Sequence, residues 1–169
     1  RTVTGVQTCA LPISRIIIAY CPGHRRKGLK TVYQQQLTYI YQQRLSTTPY
    51  QLFLSDLVSQ IKTWRASGER IILFIDANES IIDGPISKTL KRIGLNEISQ
   101  TKWPEGKQPH TFIYGSKAID GIFVSNDVEM TNLLSLSFHE SVGDHRTMIL
   151  EVTTLSTVGN FQGKITPPS

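Results

Sequence analysis

Cysteine is nearly missing from this chain: Cys9 and Cys21 are the only two among 169 residues. Two are too few for a disulfide framework and lack the spacing of a zinc site. Long apolar runs are missing as well. None approaches the roughly 20 residues a transmembrane helix needs, so no membrane partner is expected. No internal repeat is visible. Acidic residues are outnumbered, 13 Asp and Glu against 18 Lys and Arg, and the net charge of +5 leans toward a polyanionic partner such as nucleic acid. Apolar residues make up 39% of the chain, which at this length suits one compact domain with a real core.

The two ends read differently from the middle. Val3-Thr4-Gly5-Val6-Gln7-Thr8-Cys9-Ala10-Leu11-Pro12-Ile13 looks like one reading frame of a common sequencing adapter. It has neither the basic n-region nor the apolar stretch and cleavage site of a signal peptide. Residues 1–14 are therefore set aside, and the natural start of the gene is expected upstream. The tail, 156–169, carries Gly159, Gly163, Pro167 and Pro168 without periodicity and reads as disordered or as a linker. The domain is expected over 15–155.

Within it, Arg15–Tyr20 is a β-branched run stopped by Cys21-Pro22-Gly23, the pattern of a buried strand entering a turn. The next seven residues hold Arg25, Arg26, Lys27 and Lys30, four of the 18 basic residues; such a loop is either a solvated surface or a phosphate-backbone contact. Leu37, Ile40, Tyr41 and Leu45 predict an amphipathic helix over 31–45, ended by Pro49. Phe53, Leu54, Leu57, Val58, Ile61 and Trp64 predict a second helix with Trp64 in the core, broken at Ser67-Gly68-Glu69. Arg70–Asp76 reads as a strand buried on both faces. A short helix follows over Ser87–Ile93, after Pro85 and closed by Gly94, then a loop over Pro104–Pro109. Strands are expected at Thr111–Tyr114, Ile119–Ser125 and Met148–Thr153.

Three polar groups stand at strand ends. Asp76-Ala77-Asn78-Glu79 follows the strongest strand and sets a carboxylate and a carboxamide two residues apart, able to point the same way from an extended backbone. Asp120 interrupts the apolar run Ile119–Ser125, where a carboxylate must be paired to be tolerated. Asp144-His145 precedes the last strand, a pair that can serve a metal and a proton-transfer group together. Taken singly, each also reads as an ordinary polar turn or strand end.

Taken in order, the three resemble the later motifs of the endonuclease/exonuclease/phosphatase family: Gly-Asp-x-Asn, Arg-Ile-Asp-Tyr and Ser-Asp-His. Ile18-Ala19-Tyr20-Cys21-Pro22 resembles the family's strand ending in Tyr-x-Pro, and His110-Thr111-Phe112 sits where a Thr-containing strand precedes the Ile-Asp motif. The likeness runs over roughly 15–153, and within the family it is nearest to the endonuclease domains of non-LTR retrotransposons and their apurinic-endonuclease-like relatives. Ile75, Ala77, Ala118, Gly121 and Gly143 depart from the pattern, replacing a Gly, a Phe or Leu, an Arg, an aromatic and a Ser. The family's upstream Asn and metal-binding Glu have no counterpart before Tyr20.

The resemblance implies an α/β (α+β) fold, a four-layer α/β/β/α two-sheet sandwich, incomplete at its N-terminus, with a site at one end between the sheets. Missing strands would leave the fragment unstable or prone to aggregate. The implied activity is Mg²⁺-dependent phosphodiester hydrolysis, with Mn²⁺ as a substitute and DNA as the expected partner. His145 would contact the scissile phosphate, oriented by Asp120; Asp76 would orient or deprotonate the attacking water; Asn78 would donate to the developing charge; Tyr20 would bring a phenol near the phosphate. Asp144 would be the metal ligand. Arg25, Arg26, Lys27 and Lys30 would meet the nucleic-acid backbone. Other family substrates, RNA or a phosphorylated small molecule or lipid, stay open, as does a catalytically inactive nucleic-acid-binding remnant. A nuclear location follows only from the retrotransposon reading.

Overall fold

A computed structural model describes residues 14–23, 31–103 and 108–153. Strand β1, Ser14–Tyr20, runs into the Cys21-Pro22-Gly23 turn. Its first residue comes from the segment set aside above, so the fold starts one residue earlier than expected. The basic loop with Arg25, Arg26, Lys27 and Lys30, the adapter-like residues 1–13 and the tail 156–169 lie outside the described residues.

Two helices carry the chain to the next strand. The first, α1, spans Val32–Gln42 and is capped by the Thr31 hydroxyl, which accepts the Gln34 N–H. Of its expected apolar stripe only Ile40 is buried, while Leu37, Tyr41 and Leu45 stay exposed. Pro49 does not end this helix. It opens α2, Pro49–Ala66, at the first turn, where a proline's missing N–H costs nothing, and Thr48 with Gln51 forms a reciprocal capping box. Gly68, at φ +79°, takes the left-handed conformation that stops α2. Trp64 is half-buried, its ring against the core and 4.6 Å from the guanidinium of Arg15.

Strand β2, Arg70–Asp76, has the expected bounds. After it come α3, Pro85–Arg92; β3, Leu95–Glu97; α4, Ser99–Lys102; β4, Asp120–Ser125; β5, Met130–Ser135; and β6, Met148–Val152. The four-stranded sheet runs β1-β2-β4-β3, with β1 and β2 parallel and the other pairs antiparallel. Parallel β1 and β2 need a long crossover, and α1 and α2 supply it. Strands β5 and β6 form a separate antiparallel pair.

The pleat sorts the sheet's side chains into two cores. Ile71, Leu73, Ile75 and Phe123 pack against Leu57 and Ile61 of α2 and Ile86 and Leu90 of α3. Ile72, Ile122 and Val124 point the other way, toward Leu133 of β5 and Met148 and Leu150 of β6. Truncating one fully buried residue such as Ile61 or Phe123 would cost about 2–5 kcal/mol. Strand β2 thus feeds both cores, as its continuous apolar run predicts. The α+β two-sheet arrangement expected from the sequence is the one the chain adopts, and its described layers run helices, four-stranded sheet, two-stranded sheet. No described helix is long and apolar enough to cross a membrane.

Thr111–Tyr114 is not a strand. It makes one bridge, Phe112 to His145, before the Gly115 N–H turns back to the Phe112 carbonyl at 2.9 Å. The turn leaves no length for a ladder.

Candidate active site

The register of three strands builds the site. Tyr20 pairs with Asp76 on β1 and β2, and Asp76 pairs with Asp120 on β2 and β4. Residues side by side in a sheet share a face, so a phenol and two carboxylates form one row at the end of the sheet. Rows Ile18-Phe74-Ile122 and Ile16-Ile72-Val124 lie beneath it on the same face. Above the row opens a cleft of about 300 Å³ lined by Tyr20, Asp76, Asp120, Arg146 and Met148 among others.

The fourth member comes from the segment before β6. Nδ1 of His145 lies 2.8 Å from Oδ2 of Asp120, with the two side chains 31% and 14% exposed. Asp120 is thereby the paired carboxylate that its place in an apolar strand demands. The carboxylate is held from behind: the hydroxyl of buried Thr111 accepts the N–H groups of both Ile119 and Asp120 at 3.0 Å. Partial burial of His145 opposes its charged form, and this is the largest single influence. The hydrogen bond that the ring donates to Asp120 and the charges of Asp120, Asp76 and Asp144 together outweigh it, so the imidazole's pKa is raised above its ordinary value.

The backbone from Asp76 to Asn78 is turned rather than extended. The Asp76 carboxylate accepts the Asn78 N–H at 3.0 Å, and Asn78 turns into the left-handed region at φ 49°, a local turn that Asn tolerates. Its amide donates to the Cys21 carbonyl at 2.7 Å and so pins the turn after β1. Glu79, which motif reading left without a role, accepts the Ile86 N–H at the start of α3 and the Tyr50 hydroxyl of α2, at 2.6 and 3.1 Å. Burial, then the charges of Glu79 and Asp76, push the Cys21 thiol up to about 12. It stays neutral, and thiolate chemistry has no place here.

One atom each from Asp76, Asp120 and His145 lies within 4.8 Å of the others, a grouping able to hold a cation. Two carboxylates suit a hard ion such as Mg²⁺ or Mn²⁺, which fills its remaining positions with water and substrate oxygens. An imidazole must be neutral to ligate, and the Asp120 carboxylate beside Nδ1 of His145 favours the protonated ring. Asp144 is exposed and outside this group; its carbonyl accepts the Ile113 N–H at 2.9 Å, and its charge reaches His145.

Arg146 was visible beside Asp144-His145 but carried no assignment. Its guanidinium donates to the carbonyls of His110 and Leu136, at 2.9 and 3.0 Å, and lies 4.2 Å over the ring of Phe138. No protein-family model matches the chain, and no curated protein matches it, so the functional reading rests on the motifs and this geometry.

Proposed function

We propose that the chain is a divalent-metal-dependent phosphodiesterase acting on nucleic acid, most plainly a DNA endonuclease. The observation that carries the reading is the 2.8 Å pair of Asp120 and His145 beside Asp76, at the mouth of an open cleft. Phosphodiester hydrolysis needs an oriented water, compensation for charge on the phosphoryl oxygens and help for the leaving alkoxide.

Asp76 and Asp120 would hold Mg²⁺ or Mn²⁺, and the bound ion would supply positive charge against the phosphate. Asp120 accepts the Nδ1–H of His145, which fixes the ring and leaves Nε2–H free to donate to a phosphoryl oxygen. The Asp76 carboxylate orients the attacking water. Tyr20, at the rim, offers its hydroxyl to the phosphate, and Asn78 acts through the turn it pins. The sequence resemblance gives the ion to Asp144, whereas the grouping of side chains favours Asp76 and Asp120. Comparing Asp144→Asn with Asp76→Asn separates the two.

The test is nicking of supercoiled plasmid with Mg²⁺ or with EDTA. Nicking should need the metal, and Asp76→Asn or His145→Ala should lower it by roughly 10²-fold or more. Wild-type rates in either variant, or no nicking at all, would overturn the reading. A nucleic-acid-binding module without turnover is the second reading, favoured by the engagement of the Asn78 amide with Cys21 rather than with the cleft. It requires strand binding without nicking.

A further inference from the structure

Aromatic surface lies open next to the imidazole. Phe112 bridges to His145 through the backbone, and their ring centroids are 5.0 Å apart. Tyr114 stands edge-on to Phe112 at 5.5 Å and is 83% exposed. Ile113 and Val142, the latter on the segment that carries His145, are exposed as well. The strap holding these rings is tied to the site: the Ile113 N–H donates to the Asp144 carbonyl and the Arg146 N–H to the Thr111 carbonyl, at 2.9 and 2.8 Å. The backbone that carries Phe112 and Tyr114 is therefore tied to the segment of His145.

The lining of the cleft narrows what lies over that surface. Arg146 is the one cation among its described lining residues, and two carbonyls and a ring already share that guanidinium. A strand of nucleic acid presents one phosphate per nucleotide and an aromatic base beside it, which matches one phosphate-handling centre with a half-buried ring, Phe112, and an exposed one, Tyr114, beside it. Bases stack on aromatic side chains with little regard to sequence, because every base has a π-face. In a duplex both faces of a base are covered by its neighbours, so only an unpaired base can use the surface.

We propose that Phe112 and Tyr114 form a stacking surface for an unpaired nucleobase next to the phosphodiester bound in the cleft. The proposal rests on reading the cleft as a phosphodiester site, and it makes single-stranded or locally unpaired nucleic acid the preferred substrate.

The experiment is fluorescence anisotropy with labelled oligomers of about a dozen nucleotides, a length within the usual single-strand site size, in EDTA so that nothing is cut. Oligothymidylate and oligouridylate separate deoxyribose from ribose sources, a duplex of equal length tests pairing, and an abasic oligomer with the same number of phosphates isolates the backbone. The chain should bind a single strand more tightly than the duplex. Tyr114→Ala should weaken that binding roughly tenfold, with Tyr114→Phe within about twofold of wild type and the abasic oligomer indifferent to either change. Equal binding by wild type and Tyr114→Ala, an equal loss on the abasic oligomer, or no binding by the wild type would overturn the proposal. Because the readout involves no turnover, a chain that binds in this way without nicking plasmid loses the hydrolytic reading alone. A nicking chain indifferent to Tyr114 loses the stacking surface alone.

Discussion

His145 presents Nδ1 to Oδ2 of Asp120 at 2.8 Å, so the segment before the last strand is locked to the first residue of β4. The carboxylate favours the imidazolium, and titration of the His145 ring by NMR should give a pKa above its ordinary value of 6.5. Asp120→Asn should lower that pKa and reduce nicking by roughly 10²- to 10⁴-fold. The sign for stability follows from the raised folded value. The contribution is complete below the unfolded value of 6.5 and fades as pH rises through the folded one. Thermal stability should therefore decline more across that window in wild type than in Asp120→Asn. A pH profile unaltered by the substitution would count against the pair.

Thr111 is the support behind this pair. Its hydroxyl, in a residue only 4% exposed, is the acceptor for two backbone N–H groups, one of them that of Asp120. Thr111→Val keeps the shape and removes the acceptor. Each amide left without a partner costs about 1–3 kcal/mol, so urea unfolding should show a loss in that range or above it, and nicking should fall with it. Thr111→Ser should retain most of both. Wild-type stability in Thr111→Val would show that the hydroxyl is not needed.

What could be read in advance follows from the physics of each element. Strand β2 could be read because seven residues feeding two cores leave an unbroken apolar run, and Gly68 and Gly94 mark their breaks by taking positive φ. Strand β5 could not: of Met130-Thr131-Asn132-Leu133-Leu134-Ser135 only Leu133 is buried, and the polar residues hide the pattern. Strand β3 is three residues long, too short for a period to show. The meeting of Asp76 with Asp120 depends on antiparallel register, which local sequence does not encode, and only the order of the motifs hinted at it. The role of Thr111 lies in a contact across eight or nine residues of loop, with no periodic signature.

Positions 75 and 121, which both depart from the motif pattern that the sequence resembles, sit side by side in the sheet. Ile75 and Gly121 are cross-strand partners, so a larger residue stands where the pattern has glycine and a glycine where it has an aromatic. A Cβ at 121 would come within 3.0 Å of the Ile81 side chain, which occupies that space. Gly121→Ala should destabilise by about 1 kcal/mol and Gly121→Phe by about 3 kcal/mol. Adding Ile81→Ala should recover part of the loss, with a coupling of roughly 0.5–3 kcal/mol in a double-mutant cycle. Additive losses would place the strain elsewhere. Gly143, at φ +89°, holds a conformation in which serine or any other L side chain would be strained.

Strand β1 ends the four-stranded sheet among the described residues, and its outward face alternates Ile16, Ile18 and Tyr20, with Ile16 65% and Ile18 87% exposed. Open backbone groups along an apolar edge template pairing with another chain. Self-association should therefore begin here, and a charge on the exposed face should block it. Ile18→Lys is expected to lower light scattering and shift sedimentation toward the monomer, while stability changes by no more than about 0.5 kcal/mol, as for other surface substitutions. Ile17, its neighbour, packs against the helix-side core. Ile17→Lys should instead destabilise the fold and increase aggregation, because the charge would be forced into apolar surroundings. Equal aggregation by Ile18→Lys and wild type would move the sticking surface away from β1. Equal behaviour of the two lysine variants would mean that the alternation along the strand does not decide which face meets water.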